Sequence, residues 1–285
     1  MQDRFLLYDL TFKFNSTNYI LKYFTYFCYD KLNSIKGFMR KNFLLLALCG
    51  FLAVNAYGEN MKTIKTSKAG SLSTKISEKK LSKVTDLSIS GPINREDIAY
   101  LRSVLKSHKT INTLNLKSAE GLDEIMDGGF AGCSSITAFI LPSTINKIGQ
   151  SAFEDCSELN TLLLPDNVKS IGDKAFKRCS KLTNLNYPTQ LKRIGKNAFQ
   201  ECYNISSVEL ANIDTIGAEA FKSCNSILNI TLPNEVKHIG KNAFDGCSSL
   251  TSFTIPFGIE KIEDFLFWNC SKLKNSNKFA NIIES

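Results

Sequence analysis

The sequence predicts an α/β-type repeat solenoid: a stack of short parallel strands, with turns or short helices on the other face of each coil. Three observations carry this reading. Seven cysteines, Cys133, Cys156, Cys179, Cys202, Cys224, Cys247 and Cys270, recur at intervals of 22 or 23 residues. Each closes a common phrase, as in Ile148-Gly-Gln-Ser-Ala-Phe-Glu-Asp-Cys156 and Ile171-Gly-Asp-Lys-Ala-Phe-Lys-Arg-Cys179. Each phrase leads into apolar residues that end in a period-two step, such as Leu159, Leu162 and Leu164 before Pro165. A unit this short cannot bury its own apolar face, so its recurrence at a fixed period means stacking.

The repeat reads Ile-Gly-x-x-Ala-Phe-x-x-Cys-x-x-Leu-x-x-Leu-x-Leu-Pro-x-x-Val-x-x. Six units fit it, at 125–147, 148–170, 171–193, 194–215, 216–238 and 239–261, and a degenerate seventh starts at Ile262. The leucine step predicts a strand halted by proline, which has no N–H for a ladder. A second apolar pair, Val168 and Ile171, follows the turn. Gly172 is expected to allow a tight bend, and Ala175-Phe176 to open a brief helical or irregular stretch. Two units depart from the pattern. Unit 194–215 lacks one residue and its proline (Leu210-Ala211-Asn212), and the last has Ile262-Glu263 in place of Ile-Gly.

The phrase, together with Leu-Pro at Leu141-Pro142, Leu164-Pro165 and Leu232-Pro233, resembles the BspA-like leucine-rich repeats of bacterial cell-surface proteins. The resemblance covers residues 125–275. It implies an exported surface protein engaged in adhesion, with host matrix or bacterial surface proteins as partners.

Residues 59–124 read as an N-terminal capping region for the open end of the stack. Leu72–Leu81 has weak helical spacing. Val84 to Ser90 alternates as a strand, and Gly91-Pro92 reads as a turn. Asn94 is placed to cap a helix through Ile98, Leu101, Val104 and Leu105. Ile111 to Leu116 alternates as a second strand. Upstream, Met39-Arg40-Lys41 followed by the apolar run Phe43–Val54 and Val54-Asn55-Ala56 reads as a signal peptide over 39–56. A run this short falls below the roughly 20 residues a membrane span needs, so no integral span is expected in the mature form. Leu46-Ala47-Leu48-Cys49 leaves a lipoprotein attached through Cys49 as an alternative. Residues 1–38 read as an upstream extension, and 276–285 as a C-terminal tail.

The full chain has a formal net charge of +8. Residues 1–58 hold 7 of its 35 basic and 3 of its 27 acidic residues, leaving 28 against 24, or +4. That value gives no warrant for nucleic-acid binding. Seven cysteines at one repeat position are not a disulfide framework, because equivalent residues of adjacent coils point in parallel. They are expected to be buried free thiols. The chain has only two histidines, His108 and His238, and none of the motifs of hydrolases, metallopeptidases or nucleotide-binding enzymes. No enzyme activity and no cofactor is expected.

Two surfaces remain as candidates. If Leu162 and Leu164 point inward, Thr161 and Leu163 point outward. The equivalent pairs are Ala138 and Ile140, Asn184 and Asn186, Ser207 and Glu209, Asn229 and Thr231, and Ser252 and Thr254. The candidate ligand face is Asn184, Asn186, Ser207, Glu209, Asn229 and Thr231, a small, polar array suited to an extended protein partner. The alternative is a basic ridge at Lys192, Arg193, Lys237 and His238. Capture of glycans would require exposed aromatics, for which Tyr187 and Tyr203 are the candidates. A structural spacer without a ligand is the remaining reading.

Overall fold

The computed structural model of the chain describes residues 60–259 and 261–274. The upstream extension, the signal peptide, Cys49 and the C-terminal tail lie outside them.

The strands are β1 (Met61–Lys65), β2 (Asp86–Pro92), β3 (Thr113–Glu120), β4 (Glu124–Ile125), β5 (Ala138–Ile140), β6 (Lys147–Ile148) and β7 (Thr161–Leu163). They continue as β8 (Ser170–Ile171), β9 (Asn184–Leu185), β10 (Arg193–Ile194), β11 (Ser207–Glu209), β12 (Thr215–Ile216), β13 (Asn229–Thr231) and β14 (His238–Ile239). All pair in parallel. A first sheet runs β1-β2-β3-β5-β7-β9, and β11-β13 form a separate pair on the same side. A second sheet runs β4-β6-β8-β10-β12-β14. The solenoid expected from the sequence is what the chain forms, with one addition: the six coils from β3 to β14 carry two strands each. The second is two residues long, a polar residue followed by a buried isoleucine such as Ile148 or Ile171, too short to show a period of its own.

Ahead of the repeats, helix α1 (Leu72–Lys75) and a single 3-10 turn (Glu78–Lys80) occupy the stretch of weak helical spacing. Helix α2 (Arg95–Ser107) starts where Asn94 predicts. The Asn94 side chain accepts from the Asp97 N–H, and Asp97 accepts in return from the Asn94 N–H. The buried Asp97 carboxylate also accepts from the N–H groups of Gly70 and Leu72, tying the start of α1 to the start of α2. Gly91-Pro92 is not a free turn. It ends β2 after a register shift between Ser88 and Ser90, with Gly91 at φ 84°. A Cβ there would lie 2.3 Å from the Thr66 carbonyl oxygen, so only glycine fits.

The third side of each coil has no helix. It is a run of overlapping turns in which N–H groups alternate between bonding inside the coil and bonding to the next. Ala152, Glu154 and Cys156 donate back to Gly149, Ser151 and Phe153, while Ser151, Phe153 and Asp155 donate to Asp173, Ala175 and Lys177. This alternation requires two left-handed residues per coil. They include Ser151 and Asp155, Lys174 and Arg178, Asn197 and Glu201, with φ between 52° and 62°.

The repeat glycine has a different reason from the bend expected of it. At Gly149, Gly172, Gly195, Gly217 and Gly240 an added Cβ would lie 2.4–2.7 Å from a backbone nitrogen of the preceding coil. Real Cβ contacts do not occur at that distance, so glycine is what lets the coils close to strand spacing. Their N–H groups donate to the isoleucine carbonyl of the coil before, from Gly149→Ile125 to Gly240→Ile216. The second sheet ends at β14, and the next coil has Glu263 in the glycine position.

Two columns of identical residues run through the interior, among buried Ala, Leu, Val and Ile. Phe130, Phe153, Phe176, Phe199, Phe221, Phe244 and Phe267 stack with ring centroids 5.1–5.7 Å apart. Six of them are fully buried, each stabilising the stack by about 1.5–3 kcal/mol. Beside them run the free cysteines, buried except for half-buried Cys270. From Cys156 to Cys270 each thiol donates to the phenylalanine carbonyl of the preceding coil, at 3.1–3.4 Å. Cysteine is thus a small apolar filler that also satisfies a buried acceptor. Burial pushes the thiols up, Cys133 to about 11 and Cys270 to about 12.

Candidate interaction surface

The strand side is where side chains reach solvent without being dictated by the stack. In the units that carry it, proline follows the strand and its carbonyl accepts from the residue three on, as Val168→Pro165 and Val236→Pro233, so the chain turns at once toward the second sheet. In unit 194–215 the shortened, proline-free turn keeps a bond that a proline-bearing unit also makes: the Asn212 side chain donates to the Thr189 carbonyl at 2.8 Å, as Asn167 donates to the Ser143 carbonyl at 2.9 Å.

Of the candidate ligand face, Ser207, Glu209, Asn229 and Thr231 are exposed and directly paired, with Ser207 opposite Asn229 and Glu209 opposite Thr231. Asn184 is exposed and lies in register with Thr161 in the first sheet, donating to the Thr161 hydroxyl at 3.2 Å. Asn186 is turned back. Its side-chain oxygen accepts from the Leu164 N–H at 2.6 Å, and its nitrogen donates to the Leu164 carbonyl at 2.9 Å. The six residues therefore fall into two groups, because no ladder joins β9 to β11.

The simple alternation fails at the start of the sheet. Thr161 and Ala138 were expected to face outward and are buried. In-register neighbours at strand spacing overhang these small side chains, and Thr161 is held by hydrogen bonds to Asn160 and Asn184. Leu163, in contrast, is 52% exposed. Leu228 is also exposed, at a position where Asn160, Thr183 and Ser206 stand in other units, and aligning the units would have found it.

On the basic ridge, Lys192 pairs with Asp214 at 3.7 Å and Arg193 reaches Asp173 at 4.0 Å. Lys237 and His238 are exposed. The ridge is thus partly neutralised by its own carboxylates, at exposed distances worth little individually. Of the proposed aromatics, Tyr203 is exposed, but Tyr187 points its hydroxyl into the interior, where it has no hydrogen-bond partner. Burial pushes that hydroxyl well above the usual phenol range. Exposed aromatics the sequence reading missed are Phe257, Phe265 and Trp268, the last two edge-to-face at 5.3 Å. His108 caps the end of α2, its ring near Ser107 and the Val104 carbonyl. Among the described residues, no group of three or more metal-ligating side chains is gathered, and no helix is long and apolar enough to cross a membrane.

A coil of Ile-Gly, Ala-Phe, Cys and Leu-Pro built this way is what one family model describes: the BspA type leucine rich repeat region, which matches residues 105–228 and 192–284 in six copies. The chain belongs to the BspA-type leucine-rich repeat family. A leucine-rich repeat protein from T. pallidum is 30% identical, with a TM-score of 0.53 over 57% of this chain and 78% of that one. One from Bacteroides ovatus is 20% identical, with a TM-score of 0.35 over 75% and 72%. The pneumococcal vaccine antigen PcpA is 17% identical, with a TM-score of 0.25 over 68% and 69%. No curated protein matches the chain. BspA-type repeats point to a protein-interaction module, and the family is typically non-catalytic.

Proposed function

We propose that this BspA-type protein is exported by the segment 39–56, with cleavage after Ala56, and acts at the cell surface by binding other proteins without catalysis. The ligand face is the strand side. The observation that carries this reading is the paired array Ser207–Asn229 and Glu209–Thr231, whose side chains are exposed and serve no packing role. Asn184 extends the array, whereas Asn186 contributes through position, its amide being engaged with Leu164. Small polar residues lack the aromatic and arginine anchors of strong hot spots. Affinity per molecule is therefore weak, and display in many copies strengthens it.

The test is capture of host matrix proteins and bacterial surface extracts by the secreted protein. Replacing Asn184, Ser207 and Asn229 together with arginine removes binding without unfolding the stack. Reversing Lys192, Arg193 and Lys237 leaves it intact; loss in that variant, with steep weakening by salt, would move the site to the ridge. The exposed pair Phe265 and Trp268 favours glycan capture as the second reading, and Trp268→Ala alone would abolish it. If no variant alters binding, the protein is a spacer.

A further inference from the structure

Each pair of neighbouring coils can be joined along three seams: the strand side, the second sheet and the turn side. At one interior junction, between the coil carrying β9 and the coil carrying β11, only two of the three are closed; among the described residues the strand side is otherwise without a ladder only after β13, toward the end of the stack. The second sheet runs unbroken from β10 to β12, and Gly217 donates to Ile194 as its counterparts do elsewhere. The turn side is also intact, with Lys174, Phe176 and Arg178 donating to Lys196, Ala198 and Gln200. On the strand side the first sheet stops at β9 and a new pair starts at β11.

The residues around this gap account for it. Thr183 donates across its coil boundary to Asn160, and Leu228 to Ser206, but between the two the ladder is missing. Asn186 spends its amide on the Leu164 backbone, in the coil before, leaving nothing for the coil after. Tyr187 stands where other units have leucine, and it carries a buried hydroxyl that no neighbour satisfies. Leu185 is half-buried, as is Ile230 beside the gap after β13, whereas their counterparts Leu162 and Val208 are fully buried. Across the same junction Phe176 and Phe199 remain stacked at 5.1 Å, as close as any pair in the column.

We infer that the stack articulates here: the coils before and after the junction open and close on the strand side, turning about the closed seams and the Phe176–Phe199 stack. The strand face is then two rigid plates at a variable angle. An opening of this kind needs only weak van der Waals contacts to break, since the backbone bonds of the strand seam are already absent there. This inference does not depend on whether the strand face binds a ligand.

The experiment measures distances between paired spin labels in the full-length protein. Cys28, Cys49 and the half-buried Cys270 are changed to serine. The remaining native thiols lie in the buried column, so labels at neutral pH react with introduced cysteines. Leu163→Cys with Leu228→Cys spans the junction on the strand side, at two exposed positions. Lys169→Cys with Lys237→Cys spans the same four coils beside the second sheet, also at exposed positions. The strand-side distribution is expected to be about two-fold broader than the other. In Asn186→Thr/Tyr187→Leu, which restores the pattern of other units, it narrows to the width of the control pair. Equal widths in the unmodified protein would overturn the inference, as would a folded double variant whose strand-side width is unchanged. Should the double variant not fold, the comparison of the two label pairs in the otherwise unaltered protein decides alone.

Discussion

The two sides of a coil differ in how much the stack dictates. On the glycine and turn side, backbones approach until a single Cβ would collide, and Gly, Ala, Phe and Cys recur because nothing else fits. On the strand side one repeat position carries Asn184, Ser207 and Asn229 in successive units, with Leu163 or Glu209 beside them. Recurrence here reports lack of room, and variation marks the surface free to take on a partner.

The most severe test of this contrast is Gly195→Val, whose Cβ would sit 2.5 Å from the Asp173 nitrogen. A loss of about 5 kcal/mol or more is expected in urea unfolding. Gly128→Ala, with open space around the added carbon but φ 62°, should cost only about 1 kcal/mol. Similar losses at both would show that room between coils is not the constraint. Next comes the ring column. Phe199→Ala, between two stacked neighbours, is expected to cost about 3–5 kcal/mol, and Phe267→Ala in the last coil less. Equal costs would mean that the end coil is packed as firmly as the middle.

The cysteine column makes a pH prediction. The thiols are held protonated by burial, so the unfolded chain, with ordinary thiols near pH 8.5, loses its protons first. The stabilisation is complete below that pH and is lost as pH rises toward the folded values, about 11 for Cys133 and about 12 for Cys270. Each thiol contributes a slope of about 1.4 kcal/mol per pH unit in that window. Denaturant midpoints that stay level between pH 8 and 10 would contradict a buried column. The smallest effect is a gain. Lys174→Gly relieves a left-handed lysine at φ 57° and is expected to add about 0.5–1 kcal/mol, whereas Ser207→Arg on the strand side should stay within about 0.5 kcal/mol of zero.

What could be read in advance followed from column identity. The Phe and Cys columns, the capped helix at Asn94 and the solenoid itself are each written as a repeated residue or a capping pattern. The second sheet is not, since Ser170 and Ile171 are too few to alternate. The left-handed positions are hard to see because glycine holds them only at Gly128, Gly132 and Gly246, while Lys174, Arg178 and Glu219 occupy them in other units. Thr161 was misplaced because alternation along one strand ignores the side chains overhanging from the next. The break after β9 left a trace, Asn186-Tyr187 where other units carry different pairs, but its meaning required knowing where the Asn186 amide goes.

The glycine column also governs how such an array can lengthen. A unit accepts a predecessor closely only if it brings glycine after its isoleucine, and the first unit has Met126 there instead. A duplicated interior unit carries its own glycine and slots between existing ones without altering either neighbour. The array can therefore lengthen by gene duplication at any interior coil, each copy bringing the one residue that the close approach demands.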